Sequence, residues 1–189
     1  LKIIADEIKS LHVIATGSSA FELGDKIKES MTGRAIEYKL FPFWMQEIAN
    51  HTNTFEEKRL LEHRIIYGYY PEVVNNPGEE KQILQQISGS ILYKDLYVLG
   101  QVKKPYLLEK ILKALALQIG NEVNFNELGN TVGADKETIE KYIFLLEQAF
   151  VIYRLPSLSR NSRSEINKGK KIYFYDNGIR NSLISNYSP

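Results

Sequence analysis

The sequence predicts an α/β segment followed by a helical stretch and a winged helix-turn-helix of the α+β class. Three observations lead there. A short β-branched run, Leu11–Ala15, enters a Thr16-Gly17-Ser18-Ser19 turn, and Ala35–Leu40 alternates apolar and polar residues, so two strands flank a helix. Between Phe55 and Tyr93 apolar residues recur at helical spacing. From Pro105 onward the order is helix, helix-turn-helix, then two strands joined by a basic loop. The predicted boundaries are 1–77 for the α/β part, 78–104 for a helical linker or lid, and 105–189 for the winged-helix domain.

Each element has a local reason. Residues 2–10 place Ile3, Ile4, Ile8 and Leu11 on one helical face. Ser19 and Glu22 have capping-box spacing and start a helix that runs to about Ser30. Gly33 ends the turn before the second strand. Leu60, Leu61, Ile65 and Ile66 mark a helix that Tyr70-Pro71 stops, because the residue before proline avoids helical geometry. Asn75-Asn76-Pro77-Gly78 is the strongest turn signal and is taken as the domain boundary. Ile83, Leu84, Ile87 and Ile91 mark the next helix. Pro105 suits a first helical turn, with Leu107, Leu108, Ile111, Leu112, Leu115 and Ile119 as its stripe and Gly120 as its stop. Asn124 caps a short helix over 125–130. Asp135 caps a longer one with Ile139, Tyr142, Ile143, Leu146 and Phe150 inward. Strands follow at about 150–155 and 171–176, and Asp176 caps a last helix, 179–184.

Composition narrows the function. The 24 Lys and Arg nearly cancel the 23 Asp and Glu, so a polyanionic partner must be met by a local patch. The chain has no cysteine, which excludes disulfides and thiolate metal sites and fits a reducing, cytoplasmic setting. His12, His51 and His63 are scattered with no H-E-x-x-H pattern, so no metal site is expected. Charges such as Glu147 interrupt the apolar runs, so no membrane partner is expected. There is no secretory signal, and an opening at Leu1 inside a periodic pattern predicts a fragment of a longer polypeptide.

Five segments carry a resemblance: Ala15-Thr16-Gly17-Ser18-Ser19-Ala20, Glu29-Ser30-Met31-Thr32-Gly33-Arg34, Tyr38-Lys39-Leu40-Phe41-Pro42, Gly68-Tyr69-Tyr70-Pro71-Glu72 and the stretch Lys171–Gly178. In this order and spacing the chain resembles a family of prokaryotic AAA-type ATPases of the P-loop superfamily. The resemblance implies that residues 1–77 are the C-terminal part, or remnant, of the ATPase domain, ahead of the helical segment and winged helix. It also implies that the phosphate loop and the acidic metal-binding strand lie upstream, and a nuclease-like region beyond Tyr187. No G-x-x-x-x-G-K-[ST] loop occurs in the chain; Gly129 to Lys136 is a decoy with the wrong spacing.

By resemblance, Thr16, Ser18 and Ser19 lie near the terminal phosphate of a nucleotide, and Arg34 is a candidate arginine finger acting in cis or in trans. From the residues alone, Ser19 caps a helix, Thr16-Gly17 makes a turn, and Arg34 pairs with Glu29 or Glu37. ATP and magnesium are therefore expected only in the intact parent, with no cofactor and no catalytic residue in this chain alone, which is predicted to be inactive. The recognition helix exposes Lys136 and Lys141 against Glu137, Glu140 and Glu147, with Phe144 among them, a net acidic face. The wing instead carries Arg160, Arg163, Lys168, Lys170 and Lys171 against Glu165, which predicts weak, non-specific DNA binding. The other readings are a structural role in which the winged helix packs on its own ATPase domain or on a protein partner, a homo-oligomer, or a self-standing winged-helix DNA-binding regulator. Glu47, Glu72 and Asp176 are too scattered for an acid–base pair. The 12 tyrosines read as core and interface residues that do not share one strand face.

Overall fold

The computed structural model describes residues 7–8, 10–16, 36–90, 104–156 and 170–188. The chain divides into two units, Leu1–Leu40 and Phe41–Pro189. In the first unit, residues 11–16 and 36–40 have no regular secondary structure and are exposed, with Ile14 at 89% and Leu40 at 91%. The predicted buried strands at 11–15 and 35–40 are thus not formed over the described residues. A strand is held by hydrogen bonds to a neighbouring strand, and the alternation of Ile36, Tyr38 and Leu40 supplies only the side-chain half of that requirement. The predicted helices over 2–10 and 19–30 fall largely or wholly outside the described residues.

The second unit is mixed helical with a small antiparallel sheet. Five short helices open it: α1 (Met45–His51), α2 (Thr54–Arg59), α3 (Leu61–Tyr67), α4 (Pro71–Asn75) and α5 (Glu80–Ser90). Asn53 caps α2 by accepting the Glu56 amide at 2.8 Å, and Pro71 opens α4, where its missing N–H costs nothing. The single helix expected near 55–69 is two, broken at Leu60 (φ −88°, ψ 5°). The turn at Asn75–Gly78 lies inside the unit, between α4 and α5.

The remainder is α6 (Pro105–Leu117), β1 (Glu122–Val123), α7 (Phe125–Val132), α8 (Lys136–Gln148), β2 (Ile152–Leu155), β3 (Lys170–Phe174) and α9 (Asn177–Leu183). Asn124 and Asp135 cap α7 and α8 as their positions predict. The stripes of α6 and α8 form the core: Ile111, Leu115, Ile139, Ile143 and Leu146 are at most 1% exposed. The strands are ordered β1-β3-β2, with Tyr153 opposite Tyr173 and Glu122 opposite Lys171. This register turns Ile152, Ile172 and Phe174 inward against the helices. The two-residue strand β1 has no periodic signal of its own and forms because β3 offers it an edge.

Helix α9 packs against α3, α5 and α6, and glycine permits the closest approach. A Cβ at Gly178 would overlap the Tyr67 carbonyl oxygen and lie 2.9 Å from Leu84 Cδ2. Gly89, in α5, has open space around it. Gly178→Ala should therefore destabilise the fold by on the order of 3 kcal/mol. Gly89→Ala should stabilise it by about 0.5–1 kcal/mol through helix propensity. Urea unfolding of the two variants checks the opposite signs.

Candidate functional site

The residues expected near a nucleotide are only partly described. Thr16 is exposed on an irregular segment, whereas Ser18, Ser19 and Arg34 lie outside the described residues. Among the described residues no group of three or more His, Asp or Glu is placed to hold a metal ion. Glu47 accepts the Trp44 amide at 3.0 Å at the start of α1, Glu72 is exposed on α4, and Asp176 is buried at the start of α9.

The α7–α8 connection is a tight turn. Gly133 adopts the left-handed region (φ 80°), and its amide and that of Ala134 both donate to the Gly129 carbonyl, at 2.8 and 2.9 Å. Asp135 accepts the Thr138 amide at 2.8 Å, and hydrogen bonds from Thr138, first its amide and then its hydroxyl, hold the Asp135 pKa below the usual carboxylate value. The Gly129–Lys136 decoy is accordingly a helix-turn-helix connection. The exposed face of α8 needs one correction. Glu147 does not belong to it: the side chain is largely buried and accepts from Arg154 of β2 through two guanidinium nitrogens, Nε at 2.6 Å and Nη2. Lys136 and Lys141 then balance Glu137 and Glu140, with Lys136 and Glu140 3.5 Å apart. The face is neutral rather than acidic because a bidentate arginine has withdrawn one carboxylate.

On the hairpin, Lys171 is exposed and Lys170 half-buried, while Arg160, Arg163 and Lys168 lie outside the described residues. The outward face holds a second correction. Tyr153, Tyr173 and Tyr175 do share one side of the β2–β3 pair. Tyr153 and Tyr173 stack at 5.8 Å and 24°, and Tyr153 lies 5.0 Å from Tyr175. Phe41 stacks on Tyr175 at 5.1 Å and 20°, and Phe150 meets both Phe41 and Tyr175 edge-on. Sequence alone separates Tyr153 from Tyr173 by residues 154–172, and only the register brings them face to face. Phe41 joins the group from the other end of the unit.

A second cluster gave no sequence signal because its members look like surface charges. Glu57 of α2 is 1% exposed and Arg64 of α3 8% exposed, and they bond at 2.9 and 3.3 Å. Arg64 also lies over the Tyr69 ring at 5.4 Å. The neighbouring apolar residues Leu61 and Ile65 are exposed instead. Arg64, Tyr69 and Asp176 line a cleft of about 150 Å³ with Phe43, Leu61 and Asn177. The Glu57–Arg64 pair and the amides donated to Asp176 give these buried charges the partners that burial demands.

Asp176 accepts the amides of Tyr69 at 2.7 Å and Ile179 at 3.1 Å. Burial pushes its pKa up, and hydrogen bonds from the Tyr69, Ile179 and Gly178 backbone oppose that push without cancelling it. Because the folded pKa lies above the unfolded one, the folded chain holds more protons between the two values. Stability therefore falls as pH rises through that window. Asp176→Asn removes this contribution, so its unfolding midpoint should fall less steeply than that of the native chain from about pH 4 upward. Equal slopes in chemical denaturation across pH contradict the assignment.

Two family models match the chain: an AAA domain over residues 1–49, and a domain of unknown function, DUF8612, over residues 58–189. An uncharacterized protein of Haemophilus influenzae is 29% identical over 183 residues, covering 91% of this chain and 46% of the relative. One of Methanocaldococcus jannaschii is 24% identical over 195 residues, covering 92% and 43%. The chain thus spans somewhat less than half the length of these relatives. No solved structure matches. With most of its length under one family model, the chain belongs to the DUF8612 family, behind an N-terminal stretch that resembles an AAA domain.

Proposed function

We propose that this chain is the nucleotide-responsive edge of an AAA-type ATPase joined to a winged-helix module. The AAA-domain match over residues 1–49 carries the reading, because it spans the Thr16-Gly17-Ser18-Ser19 and Gly33-Arg34 segments. A β1-α7-α8-β2-β3 order with a β1-β3-β2 antiparallel sheet supports the winged-helix half. In this reading ATP and magnesium are held by the longer parent. Thr16 and Ser18 sense the terminal phosphate, Ser19 also caps its helix, and Arg34 stabilises transition-state charge. A chain without a phosphate loop has no backbone cradle or lysine for the triphosphate, so alone it does not turn over ATP.

The wing supplies weak, non-specific DNA affinity through Arg160, Arg163, Lys168, Lys170 and Lys171. The neutral face of α8 adds little to it and is equally suited to a protein partner or a second subunit. The alternative is a self-standing winged-helix regulator, which the same basic wing supports.

Phosphate release separates the readings. The 189-residue chain should release none above background. A longer protein carrying it should hydrolyse ATP and lose about 10³-fold on Arg34→Ala. Steady hydrolysis by the short chain, or an unaffected Arg34→Ala parent, overturns the proposal. DNA binding should be micromolar at best and weaken steeply between about 50 and 200 mM salt; an affinity indifferent to salt contradicts the wing's role.

A further inference from the structure

The cleft of the second unit combines exposed apolar residues with a buried carboxylate. Leu61 and Ile65, 48% and 52% exposed, line it together with the half-buried ring of Phe43, and Asp176 is 5% exposed. Its volume is about 150 Å³. A cavity of about that size admits a benzene-sized group. Of the three charges buried around it, Glu57 and Arg64 cancel, bonded at 2.9 and 3.3 Å. Asp176 is left over. It accepts the amides of Tyr69 at 2.7 Å and Ile179 at 3.1 Å, and no cation among the described residues pairs with it. Amide dipoles steady a carboxylate without neutralising it, and burial still pushes this pKa up. Gly68 also lines the cleft, and a Cβ there would fall on the Asp176 carboxylate oxygens. The carboxylate therefore keeps its place only because that position is glycine.

We propose that this cleft binds an alkylammonium group, its methylenes on Phe43, Leu61 and Ile65 and its cation on the Asp176 carboxylate. The proposal is independent of the nucleotide and DNA readings. A long cationic side chain buries its carbon stem on apolar surface and keeps its charged head at a polar group, which is the order of surfaces this cleft offers. The ammonium is preferred over a guanidinium. A forked guanidinium needs two free carboxylate oxygens side by side, and each Asp176 oxygen already accepts an amide. A compact ammonium needs only the lone pair that remains. A divalent cation needs several oxygen ligands, and Asp176 is the one uncancelled carboxylate among the described residues lining the cleft. The same chemistry comes from a free primary amine or from a lysine side chain of another protein.

NMR titration of the 189-residue chain with n-butylammonium at neutral pH tests this. The Tyr69 and Ile179 amides and the Leu61 and Ile65 methyls should shift together and saturate, with an affinity on the order of millimolar for so small a ligand. The neutral isostere n-butanol should bind about tenfold more weakly or worse, because it lacks the charge. Followed by carbon NMR, the Asp176 carboxyl should titrate at lower pH with the amine bound, since a cation favours its charged form. Asp176→Asn should abolish the preference for butylammonium over butanol. Leu61→Trp, which crowds the cleft from an exposed position, should weaken amine binding and keeps the test decisive should the Asn variant not fold. A blocked Gly-Lys-Gly peptide separates the sources. Tighter binding than butylammonium places a protein lysine in the cleft, and equal or weaker binding assigns a free amine. Equal binding of butanol and butylammonium, an Asp176 titration unmoved by saturating amine, or no shift at Tyr69 and Ile179 overturns the proposal.

Discussion

The second unit depends on one buried carboxylate. Asp176 follows the end of β3, caps α9 through the Ile179 amide, and accepts the Tyr69 amide from a segment 107 residues earlier. Helix α9 then works as a polar plug. Asn181 donates to the carbonyls of Ile65 and Ile66 at the end of α3, and Arg180 donates to that of Ala116 at the end of α6. Those are the carbonyls that a helix leaves without an internal partner. A seven-residue helix thus closes two other helices by satisfying their orphan groups. The geometry tolerates no side chain at Gly68 or Gly178, whose Cβ positions are taken by the Asp176 carboxylate and the Tyr67 carbonyl.

Charge pairs do comparable work in fixing which surface is presented. Glu57 and Arg64 tie α2 to α3 under cover, where loss of either partner leaves a buried charge at a cost of about 3–5 kcal/mol. Glu147 and Arg154 tie α8 to β2 and remove a carboxylate from the exposed helix face. His63 and Glu80 join α3 to α5 at 3.1 Å. Burial pushes the Glu80 pKa up, but hydrogen bonds from the Gly78 and Glu80 backbone, with His63 beside it, outweigh that and hold it below the ordinary value. Its contribution is therefore complete above the ordinary glutamate pKa and fades as pH falls through the depressed one.

The function proposed here divides along the chain. The AAA-like stretch is where a nucleotide state would be felt, and the DUF8612 portion carries the helix-turn-helix and the aromatic hairpin. The AAA-domain match runs past Leu40 to residue 49, into the second unit. Phe41, at the start of that unit, anchors in the hairpin's aromatic row. The described residues include no helix long and apolar enough to cross a membrane.

Local chemistry decided the elements whose instructions lie within a few residues. Asn124, Asp135 and Asp176 cap helices where their positions predict, Pro105 opens one, and the stripes of α6 and α8 become the core, because capping and helical period are short-range. Four outcomes belong to tertiary structure alone. Leu11–Ala15 and Ile36–Leu40 have strand-like patterns but form no strand, since a strand needs a neighbour. Glu57 and Arg64 are buried while Leu61 and Ile65 are exposed, since period marks a helix but not which charges find partners inside. β1 exists only because β3 is beside it. The tyrosines form a row only once the register sets Tyr153 against Tyr173, and pairing between distant segments is written in no single stretch of sequence.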